Sequence, residues 1–259
     1  MIPQAYIQAW REHAPWPNPA QVEQDLIICR ALCDLFNAPA PAGKIAFRGG
    51  TAIHKRLFKQ PLRYSEDIDL VQTRAELIGP TVAAIRNALA WLGQCNRGEQ
   101  AGHSMHLVFR FSPESAPKAT LKLKVEINTR EHDVLLGYRR YPFAVASDWY
   151  SAQAELVALE PEDLFGTKLR ALLQRRKNRD FFDLDRDKVV TCLNYDLALE
   201  DHPISRAETE ERMLKKLTRS LTEDIEPLPP VGVNFDEALA IDALNDVWST
   251  LIAQLSKDA

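Results

Sequence analysis

The sequence predicts an α+β fold, a mixed sheet with flanking helices over residues 1–150 followed by a helical part over residues 151–259. Three observations carry that expectation. Apolar and polar residues alternate over residues 105–111 and 120–128, the period of half-buried strands. Residues 20–37 set Val22, Leu26, Cys29, Cys33 and Phe36 at helical spacing. Beyond about residue 150 the strand signals stop and helical patterns occupy residues 161–176, 179–193, 205–221 and 236–255. With 46% apolar residues over 259 positions the chain can bury a full core, which excludes disorder and a disulfide scaffold.

Element by element, the chain starts with a Pro-rich lead-in (Pro15, Pro17, Pro19), and Pro39-Ala-Pro41-Ala-Gly43 breaks the helix of residues 20–37. A short apolar segment over residues 44–47 leads into Gly49-Gly50-Thr51 and a second helix through Phe58. Residues 68–72 read as a strand, residues 74–92 as a helix, and residues 94–103, with Asn96, Gly98 and Gly102, as a loop. An extended stretch over residues 138–145 completes the first part, and Pro227-Leu-Pro229-Pro230 reads as a linker in the helical part.

The charge balance is 32 Lys+Arg against 36 Asp+Glu, a net −4. That excludes a protein that coats nucleic acid, because counterion-release binding needs a cationic surface. Local cationic patches remain expected at Lys55, Arg56, Lys59 and Arg63 and along residues 168–179. Cys29, Cys33, Cys95 and Cys192 lack zinc-ligand spacing and read as reduced core residues. Residues 1–16 lack a basic segment followed by an apolar one, and no run approaches the ~18 apolar residues of a membrane span. A cytoplasmic protein without membrane partners is expected.

The chemistry concentrates in Gly49-Gly50-Thr51 and Asp67-Ile68-Asp69. On a strand, Asp67 and Asp69 point to one face with Cα atoms roughly 6.5–7 Å apart, while Ile68 and Leu70 anchor them in a core. Two such carboxylates repel unless cations lie between them, and paired divalent cations are a standard device for activating an oxygen nucleophile and a pyrophosphate leaving group. Glu126, on the polar face of its strand beside Lys122 and Lys124, would by itself be a solvated residue. Beside the two aspartates it becomes the candidate third metal ligand. Gly49 and Gly50 let the backbone approach a ligand and present helix-start amides to phosphate, and Thr51 caps that helix, contacts phosphate, or does both. Lys168, Arg175 and Arg179 form a basic stripe, either a solvated face or a neutraliser of a nucleoside triphosphate or RNA. Asp180 and Asp183, at i and i+3, are salt-bridge partners or a base and a positioning group.

Five motifs, Phe47-Arg-Gly-Gly-Thr-Ala, Arg63-Tyr-Ser-Glu-Asp-Ile-Asp-Leu70, Lys124-Val-Glu-Ile127, Lys168-Leu-Arg-Ala-Leu172 and Arg179-Asp-Phe-Phe-Asp-Leu184, together resemble the AbiEii/AbiGii toxin family of nucleotidyltransferases, a branch of the polymerase-beta-like superfamily. The resemblance spans about residues 20–190. Arg48 stands where the family usually has Lys, and His54 where a small or apolar residue is usual. The resemblance implies a polymerase-beta-like domain over residues 1–150 and a helical domain over residues 151–259 that completes the nucleotide and acceptor site. It implies a toxin of a toxin–antitoxin or abortive-infection module that transfers a nucleotidyl group from an NTP to RNA, with the tRNA 3′ end as acceptor in related toxins and a cognate antitoxin as partner. By the same carry-over Asp67, Asp69 and Glu126 bind Mg²⁺ or Mn²⁺. Gly49, Gly50, Thr51 and Ser65 contact the triphosphate, Lys168 binds nucleotide phosphate, and Asp180 is a further essential acid.

Three alternatives share these motifs or part of them. The acceptor would instead be a protein hydroxyl, the pocket would be a catalytically silent nucleotide-binding module, or the enzyme would mature tRNA or modify antibiotics. The intact aspartate pair argues against the silent module, and the Arg-x-Ser-x-Asp-x-Asp and Arg-Asp-x-x-Asp-Leu wording favours the toxin branch.

Overall fold

The computed structural model describes residues 2–58, 63–96, 100–114 and 116–174, with Glu211, Val231, Gly232 and Ser249 as isolated positions beyond them. The chain divides into two compact units, Met1–Leu159 and Glu160–Ala259. The first begins with α1 (Gln4–Trp10), a helix that the sequence pattern does not announce, and α2 (Pro19–Asn37). Asn18 caps α2 through Ala20 N at 2.9 Å, Gln21 reciprocates on the Asn18 amide, and Pro19 supplies a preset φ in the first turn. The helix ends at Ala38, which is extended because Pro39 follows it.

The remaining elements of this unit are β1 (Ile45–Arg48), α3 (Gly49–Arg56), β2 (Asp67–Gln72), α4 (Ile78–Ala88), a 3-10 turn (Ala90–Leu92), β3 (Cys95–Asn96), β4 (Gln100–Ala101), β5 (Ser104–Phe111), β6 (Leu121–Asn128), β7 (Tyr138–Ala146) and β8 (Ser151–Leu159). The strands form one mixed sheet in the order β3-β5-β6-β2-β1-β8-β7, with β4 added on β5. β1 is antiparallel to β2 and parallel to β8, and β2 is parallel to β6. One face of the sheet carries Phe47, Ile68, Leu70, Val125 and Ile127, all buried, and meets α2 through the Phe36–Phe47 ring contact at 6.4 Å. The other face carries the polar partners of these residues, including both aspartates.

This mixed sheet with flanking helices is the expected fold, with three local departures besides α1. Residues 74–77 are not helical: a helix begun at residue 74 would place Pro80 in its interior, whereas starting at Ile78 puts Pro80 in the first turn, where no intrahelical donor is needed. Thr73 instead prolongs the pairing of β1 and β2, through its N–H to Lys44 O at 3.0 Å and its hydroxyl to Gly43 O at 2.8 Å. The expected loop over residues 94–103 contains the short strands β3 and β4. Strand structure also does not stop near residue 150, since β8 runs to Leu159, paired antiparallel with β7 along its whole length.

In the second unit α5 (Pro161–Gln174) is present as expected, with Leu164 and Phe165 buried. The helices expected over residues 179–193, 205–221 and 236–255 lie outside the described residues, apart from helical Glu211 and Ser249. Among the described residues no helix is long and apolar enough to cross a membrane. Cys29 and Cys33 are buried on α2 as expected, and burial pushes the Cys29 thiol up to about 12 and the Cys33 thiol up to about 11.

Candidate active site

Strand alternation puts Asp67 and Asp69 on the open face of β2, while Ile68 and Leu70 are sealed in the core beneath. The parallel partner β6 sets Glu126 opposite Asp69 and Lys124 opposite Asp67, and β1 sets Arg48 opposite Asp69 on the other side. The two aspartates of β2 and the sequence-distant Glu126 therefore share one patch of sheet. From β5, His106 is the register partner of Glu126, and its Nε2 lies 3.4 Å from Glu126 Oε2.

Lys124 Nζ lies 3.0 Å from Glu126 Oε2 and 3.4 Å from Asp67 Oδ2. Burial acts to raise the Glu126 pKa, but the hydrogen bond and charge of Lys124, helped by Ser104 and His106, outweigh it and hold the carboxyl below its ordinary value. Burial acts to lower the Lys124 pKa, and the charges of Asp67, Glu126 and Asp69 together push it above the ordinary lysine value. Both groups are thus held charged by each other.

Gly49 begins α3 with a φ of +77° and is pressed against Asp69: a Cβ at this position would come within 2.7 Å of Asp69 Cβ and Cγ. Glycine is required here for two independent reasons, its backbone conformation and the space the carboxylate takes. Thr51 is not the helix cap, since the cap position is Arg48 and no side chain caps there. The buried Thr51 hydroxyl donates to Asp67 O at 2.6 Å and contacts Ser65 Oγ, also at 2.6 Å. With its single proton given to Asp67, Thr51 accepts from Ser65. The two hydroxyls fasten the first turn of α3 to the start of β2, and Ser65 would have to leave Thr51 to donate to a phosphate.

Two tethers from α2 hold this arrangement from behind. Gln24 Nε2 donates to Glu66 O and Lys122 O, each at 3.0 Å, so one side chain pins the entrances of both carboxylate strands. Asp25 accepts from Lys55 Nζ at 2.8 and 2.7 Å and from Trp10 Nε1 at 2.9 Å, joining α2 to α3 and α1. Burial acts to lower the Lys55 pKa, but the Asp25 charge and hydrogen bond dominate and push it above the ordinary lysine range.

These contacts correct the expected cationic patch at residues 55–63. Lys55 is spent on Asp25. Arg56 donates to Leu159 O at 2.8 Å with its guanidinium 3.5 Å over the Tyr141 ring. Arg63 is buried and donates to Tyr64 O at 3.1 Å, and Lys59 lies outside the described residues. Arg48 is ion-paired with Glu131 at 2.6 Å, and His54 is buried against Phe58. On α5, Lys168 is half-buried and Arg170 buried, while Arg175, Arg179, Asp180 and Asp183 lie outside the described residues.

Sequence reasoning passed over Lys124, His106 and Gln24 as site residues. The period-two spacing of Lys124 and Glu126 did place both on one face. Their meeting with Asp67, and that of His106 with Glu126, depends on strand pairing and register, for which the sequence carries no local signal.

Among the described residues no three His, Cys, Asp or Glu side chains converge as a ready-made metal cage. The donor set nevertheless suits a hard divalent cation. Its oxygens are all carboxylate, and a cationic ammonium is already accommodated between Asp67 and Glu126.

Comparison with known proteins adds to this geometry. The family described as nucleotidyl transferase AbiEii toxin, type IV toxin–antitoxin system, matches residues 30–258. The chain belongs to this family. It is a nucleotidyltransferase toxin of a type IV toxin–antitoxin system, and AbiEii membership implies a nucleotide substrate and a cognate antitoxin. Among solved structures, MenT4, a nucleotidyltransferase toxin from Mycobacterium tuberculosis, is similar at a TM-score of 0.62 and 14% identity, covering 100% of this chain and 92% of its own. JHP933 from Helicobacter pylori is similar at a TM-score of 0.53 and 15% identity, covering 91% of this chain and 93% of its own. At such identities these two matches speak for a shared fold. No curated protein sequence matches the chain.

Proposed function

We propose that this AbiEii-family chain transfers a nucleoside monophosphate from an NTP to the 3′ hydroxyl of an RNA, foremost tRNA, with release of pyrophosphate and in the cytoplasm. The supporting observation is the pairing that sets Asp69 opposite Glu126, with Asp67 on the same face and Gly49 fitted against Asp69. Asp67, Asp69 and Glu126 would hold Mg²⁺ or Mn²⁺, which supplies Lewis-acid polarisation of the α-phosphate and charge neutralisation of the leaving pyrophosphate.

The chain's own residues do the rest. Gly49 and Gly50 open α3 so that its first amides face an anionic triphosphate. Thr51 and Ser65 hold that turn on β2 and border the phosphates, and Lys168 offsets phosphate charge. Asp180 orients the acceptor hydroxyl or takes its proton. Residues 1–150 carry the catalytic carboxylates, and residues 151–259 supply the basic residues and shape acceptor choice.

The test is incubation of the purified protein with each α-labelled NTP and Mg²⁺, followed by total RNA, deacylated tRNA or total protein. Label in the tRNA band is expected. Label confined to protein bands would replace the RNA acceptor with a protein hydroxyl.

A further inference from the structure

Lys124 lies inside the carboxylate patch. Its ammonium bridges Asp67 and Glu126, and it stands in register with Asp67 and two residues before Glu126 on the same strand. The side chain is about one-third exposed, with room on its solvent side. Nothing in the transfer chemistry set out above uses it.

We propose that Lys124 is an internal counter-ion that occupies the cation position of the metal-free enzyme and must be displaced when a divalent cation loads. The inference rests on the reading of Asp67, Asp69 and Glu126 as metal ligands. Three carboxylates on adjacent strand positions repel one another and need positive charge among them. Before nucleotide arrives, Lys124 supplies it. An ammonium within hydrogen-bonding reach of Glu126 and close to Asp67 competes with a divalent ion, which needs the same oxygens at about 2.0–2.1 Å. A flexible four-carbon stem lets the ammonium leave without moving β6. Once displaced toward solvent it remains close to the site, where an arriving triphosphate offers it new anionic oxygens. Divalent binding to the free protein is therefore weak, and the enzyme loads metal and nucleotide together rather than retaining metal at rest.

The experiment is a titration of metal-free protein with Mn²⁺ alone, reading free Mn²⁺ by electron paramagnetic resonance, on wild type, Lys124→Met, Lys124→Gln and Asp69→Asn. Thermal unfolding of each is followed with and without Mn²⁺. The expected result is Mn²⁺ affinity higher in both Lys124 variants by on the order of tenfold. Their metal-free unfolding temperature should be lowered and then restored by Mn²⁺, and Asp69→Asn should lose binding. The polar Lys124→Gln carries the comparison if Lys124→Met fails to fold. Wild-type Mn²⁺ binding that is unchanged or weakened in the Lys124 variants overturns the counter-ion role and leaves the metal reading standing. Absence of Mn²⁺ binding in every protein overturns both.

Discussion

Gly49 shows how much one position can decide. Its positive φ turns the chain from β1 into α3, and the space its missing Cβ leaves is taken by the Asp69 carboxylate. An alanine would bear a backbone cost of order 1–3 kcal/mol and push against Asp69 Cβ and Cγ. Because a displacement of about 1 Å in a reacting group can cost on the order of 100-fold in rate, Gly49→Ala should lose nucleotidyl transfer by about that factor while its far-UV circular dichroism stays native. A Gly49→Ala enzyme with the wild-type rate would show that Asp69 needs no such fit. The glycine pair was legible in the sequence as a place of close backbone approach. That the approaching group is the enzyme's own aspartate was not, because it follows from the pairing of Arg48 with Asp69 across two strands. Thr51 illustrates the same limit, since a hydroxyl at a helix start reads as a cap until the neighbouring strand is seen to take its proton.

At the scale of elements, the site depends on α2 and α3 being fixed relative to β2 and β6. The Asp25–Lys55 pair links the two helices from a buried position, with the Asp25 side chain 4% exposed and that of Lys55 17% exposed. Removing one partner leaves a buried charge without its counter-ion, a loss of about 3–5 kcal/mol. Asp25→Ala should therefore lower the unfolding temperature by roughly 10 °C, and a Lys55→Met partner change should recover part of that loss in the double variant. The Lys55 pKa is raised in the folded state, so its contribution is complete below the ordinary lysine value and is lost as pH rises from there through the raised one. The Asp25→Ala deficit should accordingly be the same at pH 6 and pH 9 in thermal melts, and a deficit that vanishes by pH 9 would contradict the pairing. Most elements were legible from period and punctuation. β8 was not, because its inward positions Ala152, Ala154, Leu156 and Ala158 are mostly alanine, a weak strand former with little apolar signal. Its strand identity comes from β7 on one side and β1 on the other.

For the whole molecule, the net charge of −4 conceals a division of labour. The cations nearest the carboxylates in sequence are largely internal: Lys55 holds a helix pair, Arg56 covers an aromatic ring, and Arg63 is buried. Among residues 168–179, Lys168 is on α5 and half-buried. The fold class was legible because strand and helix periods are local properties. The assembly of Asp67, Asp69, Glu126 and Lys124 was legible only in part, because it requires the parallel pairing of β2 with β6 across some fifty residues of chain. The most direct test of the central claim compares wild type with Asp69→Asn, an isosteric change that removes one charge. Transfer of label from an α-labelled NTP to deacylated tRNA in Mg²⁺ is measured at equal folded concentration. The account predicts transfer by wild type and none above background by Asp69→Asn, with both proteins unfolding cooperatively; undiminished transfer by Asp69→Asn would contradict it.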